Sequence, residues 1–190
     1  NLVIGDGYGV LTSLFLLAAP HRKTILVNLT KPLLLDAVHI RQSVPGVNIA
    51  LVSNDTEMAG ALSNADINLI LIQADHAEIA ALAPIGIAAN VVSMQEMDLA
   101  VIAEYFQILR NNPAKKTFFY CCNKLYKKLI DGTEVRFDDY PWDTKDQVLH
   151  NSICPWSQWY YTKFPPFWRY RVGKLRIIWH RLASLNKEKT

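Results

Sequence analysis

Leu2-Val3-Ile4-Gly5-Asp6-Gly7-Tyr8-Gly9-Val10-Leu11 opens the chain with three apolar residues, a turn holding three glycines, and the start of an apolar run that reaches Ala19. Three apolar residues in a row before such a turn read as a short strand buried on both faces. Glycine permits positive φ and lets a ligand approach the backbone. A helix starting directly after the turn presents free N–H groups and the positive end of its dipole. Strand, glycine turn and helix in this order describe a nucleotide-binding turn at the carboxyl edge of an α/β sheet.

Outward from this turn the pattern alternates. Apolar, β-branched runs at 24–29, 48–52, 67–72, 86–92 and 116–122 read as strands. Helical runs are expected at 31–43, 57–63, 77–83 and 94–109. The alternation predicts a Rossmann-like α/β sheet with helices on both faces, with residues 1–123 as the cofactor-binding core. Beyond 123 the character changes. Of 20 aromatic residues, 16 lie from Phe118 onward, together with Pro141, Pro155, Pro165 and Pro166. Residues 124–190 are therefore expected to form an aromatic-rich C-terminal cap that packs on the same domain, on its acceptor side. Lys163, Arg169, Arg171, Lys174, Arg176 and Arg181 crowd this segment with no acid among them. They read either as a solvated basic face or as a patch for an anionic substrate.

The glycine spacing separates two cofactors. A dinucleotide fingerprint needs its third glycine at position 10, which is Val10; here the third glycine is Gly9. G-x-G-x-G favours S-adenosylmethionine over NAD, with Gly5, Asp6, Gly7, Tyr8 and Gly9 as candidate contacts. Asn28 stands about twenty residues on, where a side chain meeting the ribose is expected. An asparagine accepts one bond and donates another, so Asn28→Asp is expected to tighten the clamp. Asp75 follows the 67–72 strand, where an acid meets an adenine amino group; a solvated loop acid is the plainer reading. Ser93 and Gln95 follow the 86–92 strand as further cofactor candidates.

Methyl transfer needs alignment of the acceptor and, where the acceptor carries a proton, a group to take it. Glu96, Asp139 and His180 are the candidates, with His150 a weaker one. Ser93-Met94-Gln95-Glu96 also fits a capping box, in which Glu96 returns a bond to the backbone of Ser93. Asp138 and Asp139 form a carboxylate pair that suits a base, a divalent ion or an ordinary acidic turn. No metal is specified by the sequence. On the acceptor side Tyr140, Trp142 and Trp156 are candidate stacking surfaces and Arg181 a candidate contact.

Later segments carry a family resemblance. Ile25-Leu26-Val27-Asn28-Leu29, Ser93-Met94-Gln95-Glu96-Met97, Phe119-Tyr120-Cys121-Cys122-Asn123-Lys124, Asp139-Tyr140-Pro141-Trp142, Cys154-Pro155-Trp156-Ser157-Gln158, Pro165-Pro166-Phe167 and His180-Arg181-Leu182-Ala183 follow one another in the order of the bacterial sugar O-methyltransferases, which the chain resembles over nearly its whole length. The resemblance implies a class I methyltransferase fold, S-adenosylmethionine as cofactor and a sugar hydroxyl as acceptor, in a glycan or nucleotide-sugar. Two positions depart from that pattern: Val3 and Asn28 stand where such enzymes carry acids. The alternative is a methyltransferase-like binding module with weakened catalysis.

A net charge of +3 argues neither for nor against nucleic acid. The expected partner is a small molecule or glycan, not nucleic acid. No stretch reaches the ~18–20 apolar residues of a membrane span. Cys121, Cys122 and Cys154 show no C-x-x-C spacing, which suits a reduced, cytoplasmic protein. No signal peptide is visible, and a chain opening inside a strand pattern reads as a piece of a longer protein.

Overall fold

Leu2, Val3 and Ile4 are fully buried, as a strand covered on both faces must be. They form β1 (Leu2–Ile4), a central strand in a computed structural model that describes residues 1–170 and 177–187, apart from the side chains of Ser157 and Gln158. Arg171, Lys174 and Arg176 lie outside the described residues.

The chain continues through α1 (Val10–Ala18), β2 (Thr24–Asn28), α2 (Thr30–Ser43), β3 (Ile49–Val52), α3 (Asp55–Ser63) and β4 (Leu69–Gln73). A 3-10 stretch, Ala74–Leu82, leads to β5 (Ile87–Val91), then α4 (Leu99–Asn111) and β6 (Thr117–Lys124). Two hairpins and two long strands follow: β7 (Tyr126–Lys128) with β8 (Glu134–Arg136), β9 (Gln147–Ile153), the short α5 (Pro155–Gln158), β10 (Trp159–Tyr161) with β11 (Trp168–Tyr170), and β12 (Ile178–Leu185). Eight strands make one sheet in the order β3-β4-β2-β1-β5-β6-β12-β9. Pairing is parallel except at β12, which runs antiparallel to both β6 and β9. The sheet thus draws strands from both sides of residue 123.

Strand alternation splits the core. Val3, Leu26 and Leu71 meet Leu16 of α1 and Leu33 and Ile40 of α2 on one face. Leu2, Ile4, Val27 and Phe119 meet α3, the 3-10 stretch and α4 on the other, with Phe106 set edge-on to Phe119 at 5.4 Å between ring centroids. Helices therefore cover both faces, and the expected Rossmann-like α/β class is what the chain adopts.

Three local expectations differ from the structure. The helix expected over 94–109 is split: a 3-10 turn, Met94–Glu96, is followed by extended Met97, and the α-helix begins at Leu99. Ser93 makes no capping bond, because its hydroxyl donates to the Ile4 carbonyl at 3.0 Å, so the capping box is not formed. The helix expected over 77–83 is 3-10 and starts earlier, at Ala74. Strands β9 and β12, in a segment expected as a loop-rich cap or an irregular final hairpin, are an antiparallel pair within the main sheet. Their pairing with β6 and with each other supplies a use for residues whose own pattern is too aromatic and mixed to read as strands.

One buried ion pair ties the C-terminal part to the core. The Arg110 guanidinium at the end of α4 donates to both Asp146 oxygens, at 2.8 and 2.9 Å, and to the carbonyls of Asn186 and Pro141. Asp146 also accepts from the backbone N–H of Asn186 and of Asp143. No helix among the described residues is long and apolar enough to cross a membrane.

Candidate active site

From β1 the chain steps outward to β2, and after β4 it crosses back to β5 on the other flank of β1. The β1/β5 boundary is therefore the point where connections diverge, and α/β proteins bind ligands beyond the carboxyl ends of strands at such a point. A cleft of about 730 Å³ opens there, lined by Gly5, Asn28, Leu29, Val92, Ser93 and Glu96 among others. Its floor is tightly built. Gly5 has φ 66°, and a Cβ on it would collide with the Ser93 side chain. Val92 also takes a left-handed φ of 60°, a conformation costly for a β-branched residue and concentrated at functional sites.

Behind the floor lies an amide network that the sequence did not reveal. Buried Asn90 donates to the Ile4 carbonyl at 2.8 Å and to Ser93 Oγ. Asn123 donates to Asn90 Oδ1 at 2.7 Å and accepts from the Gln95 backbone N–H. Gln95 Oε1 in turn accepts from the Lys124 N–H at 2.8 Å. This network ties the carboxyl ends of β1, β5 and β6 together. It uses Gln95 as a strut, and Gln95 is not among the cleft-lining residues.

The remaining turn residues have structural tasks. Asp6 accepts from the N–H groups of Leu11 and Thr12, at 3.0 and 2.6 Å, and so occupies the helix start that a ligand was expected to meet. Gly9 has φ 67°, and a Cβ there would stand 2.6 Å from Ile40 Cγ1 and 2.9 Å from the Asp36 carbonyl. Gly7, at φ 84°, has open space where a Cβ would go. Tyr8 is exposed and meets the His39 ring.

Asn28 reaches the cleft from the end of β2. Its Oδ1 accepts from the Leu29 N–H at 2.9 Å and its amide donates to Asp36 Oδ2 at 2.7 Å. Asp36 is buried, its second oxygen has no partner, and desolvation raises its pKa against the help of the Asn28 bond. For Asn28→Asp this adds a cost to the fold, since a second carboxylate would face a buried one. The variant is expected to lose about 1–3 kcal/mol of stability. A carboxyl whose folded pKa is raised is protonated more readily folded than unfolded, so the loss grows as pH rises above the ordinary value near ~3.9. Urea unfolding at pH 5 and pH 8 measures it, and an equal loss at both would mean that the two carboxyls do not face each other.

Glu96 is the one expected catalytic residue that lines the cleft. Burial works against its ionisation, but bonds from Lys127 Nζ at 2.8 Å and Gln95 Nε2 at 3.1 Å outweigh it and hold the carboxyl below the usual range. Asp98 and Asp131 also line the cleft, and sequence reasoning singled out neither. Tyr105 borders it too, and the residue is only 4% exposed. Asp75 accepts from Gln73 and lines an adjoining groove of about 670 Å³ that shares Leu29 and Tyr105 with the cleft.

The other candidates stand apart from the cleft. Asp139 is exposed in the turn Phe137–Asp139. His180 contacts Tyr120, His150 and Ser152 on the β6-β12-β9 surface, where burial and His150 lower its pKa. Tyr140 is buried, and the Trp142 ring packs against Phe106 and Phe119 with the Arg181 guanidinium 4.6 Å from its centroid. Trp156 is 84% exposed. No group of three or more His, Cys, Asp or Glu able to hold a metal occurs among the described residues. The three cysteines are buried thiols.

No protein-family model matches the chain, and no curated protein does. Solved structures do. The methyltransferase CalO6 is similar with a TM-score of 0.56 at 10% identity, over 96% of this chain and 56% of that one. An assigned O-methyltransferase of Nostoc punctiforme is similar with a TM-score of 0.51 at 10% identity, over 96% and 50%. The 16S rRNA (adenine(1408)-N(1))-methyltransferase of Catenulisporales acidiphilia gives 0.51 at 11% identity, over 100% and 85%. The chain spans about half the length of the first two. The architecture is the Rossmann-like fold of class I methyltransferases.

That fold implies an S-adenosyl cofactor, which pairs an apolar adenine with ribose hydroxyls and a zwitterionic amino-acid end whose ammonium suits a carboxylate. The cleft fits such a molecule. Val27, Leu29, Ala74 and Val101 supply apolar wall, Asp98 and Asp131 supply negative charge, and Tyr105 borders the same space. Its volume lies within the range of small-molecule sites.

Proposed function

We propose that this protein is an S-adenosylmethionine-dependent O-methyltransferase whose acceptor is a sugar hydroxyl. The observation that carries the methyltransferase reading is the cleft itself: it lies at the switch point, between the glycine turn and Glu96, with the mixed lining that this cofactor requires. Gly5, Asn28, Ser93 and Tyr105 would hold it, and it would supply an activated methyl group on a good leaving group. The chain's own work is then to align the acceptor oxygen and take its proton. Glu96 stands at the cleft as an ionised carboxylate steadied by Lys127, and is the proposed base. The sugar acceptor rests on the sequence resemblance. It is supported by the position of Trp156 and the following hairpin, which leave the carboxyl end of β9 on the same sheet edge as Gly5 and Ser93.

Calorimetric titration with S-adenosylhomocysteine tests the reading, with NAD as the control. The expected result is saturable binding of the first and none of the second. Gly7→Val is expected to weaken that binding at least tenfold, because at φ 84° a β-branched residue strains the glycine turn even though a Cβ there meets no protein atom within 4 Å. Binding by the variant equal to that of the parent would move the site away from the turn. No binding by the parent would favour the weakened-module alternative, which the buried Val3 and the engaged amide of Asn28 support.

A further inference from the structure

Among the described residues the β10–β11 hairpin pairs with no other strand. Its register sets Trp159 opposite Tyr170 and Tyr161 opposite Trp168, so four aromatic rings share one face. All four are exposed, as are Phe164 and Phe167 in the connecting turn, Phe164 by 73%. A lone two-stranded hairpin is marginal in water, and an aromatic surface of this extent marks a partner.

We propose that this hairpin is an interfacial anchor that seats the protein on an anionic lipid surface. Trp and Tyr favour the boundary between headgroups and acyl chains, because one end of each ring system is apolar and the other polar. Phe164, Pro165, Pro166 and Phe167 make the turn an apolar tip. Lys163 is exposed beside that tip, and Arg169 is exposed on a strand whose aromatic neighbours point to the opposite face. No Asp or Glu occurs between Asp146 and Glu188, so nothing local repels an anionic leaflet.

Single-stranded nucleic acid, the other ligand of aromatic and basic surfaces, fits less well. It needs ring faces open for bases and a row of cations along the backbone. Here the rings engage one another: Trp159 with Tyr170 and Tyr161 with Trp168 edge-on, Tyr161 with Phe167 stacked. Aromatic residues outnumber the cations of the described hairpin, Lys163 and Arg169. The hairpin also leaves the sheet between β9 and β12, next to the strand that feeds the β7–β8 hairpin, whose Ile130 lies fully exposed at the cleft rim. On the methyl-transfer reading, this brings the cleft mouth to an acceptor carried on a lipid; the docking itself does not depend on that reading.

The test is co-sedimentation of the whole chain with phosphatidylcholine vesicles, with and without phosphatidylglycerol. Binding to the anionic vesicles is expected, weakening as salt is raised. Phe164→Ser with Phe167→Ser is expected to weaken it roughly tenfold or more, by removing two rings from the interface. Lys163→Glu with Arg169→Glu is expected to weaken it by a similar factor and to abolish the preference for phosphatidylglycerol. These positions are exposed, so thermal unfolding followed by circular dichroism should match that of the parent. A parent chain left in the supernatant with both vesicle types would overturn the proposal. So would variants that sediment like the parent, or retention of a single-stranded oligonucleotide in place of vesicles.

Discussion

Asp146→Ala is expected to cost about 3–5 kcal/mol of stability, because it strands a buried arginine. Arg110 is 6% exposed and directs its guanidinium into both oxygens of Asp146, and the carbonyls of Asn186 and Pro141 that it also meets carry no compensating charge. The substitution also removes the acceptor for the N–H groups of Asn186 and Asp143, which position the chain before β9 and after β12. Denaturant unfolding measures the loss. Its pH dependence adds a second signature. Burial opposes the Asp146 charge, but Arg110 and the two backbone donors outweigh it and hold the carboxyl below its ordinary range. A depressed folded pKa gives stability that is present above ~3.9 and lost as pH falls through the folded value. The alanine variant should lack that acid limb. A loss below ~1 kcal/mol, in the range of an exposed ion pair, would mean that water reaches the site.

Glu96→Gln is expected to lower the methyl-transfer rate by roughly 10²–10⁴-fold, the usual worth of a positioned base, while leaving S-adenosylhomocysteine affinity within a few-fold. Glutamine keeps the shape and an acceptor for Lys127 but cannot take a proton. Because hydrogen bonds keep Glu96 ionised, the parent's rate should fall only at pH below the ordinary carboxylate value of ~4.3. Equal loss of cofactor affinity would assign Glu96 to the cationic end of the cofactor instead. An unchanged rate would turn attention to Asp98 and Asp131, which share the cleft.

Gly5, Asn28, Ser93 and Glu96 were legible as candidates because each follows a strand whose apolar pattern is clear. In a parallel sheet the ends of neighbouring strands must meet at one edge. Asn90, Asn123, Tyr105 and Asp131 were not legible. The first two are single polar residues inside apolar runs, and only pairing of β1, β5 and β6 shows that their amides complete one network. Tyr105 lies inside a helical run, and only a cavity formed by distant segments sets it apart. Asp131 sits on a hairpin whose placement depends on β6. Trp142 illustrates the converse. Its aromatic, Pro-flanked context suggests a binding wall, yet the ring fills a gap between Phe106 and Phe119.

The sequence by itself determined the alternation of strands and helices, the glycine turn and hence the edge where a ligand belongs. These follow from short-range steric rules and hydrophobic period, which neighbouring residues carry among themselves. The tertiary structure alone decided which side chains remain available at that edge. Asp6 went to a helix start, Gln95 to a backbone N–H of β6, and Asn28 to the buried carboxyl of Asp36. It also decided that residues 147–153 and 178–185 complete the sheet while 159–170 stand clear of it. Partners in such choices lie tens of residues apart, and a buried polar group takes whichever donor or acceptor packing brings within reach.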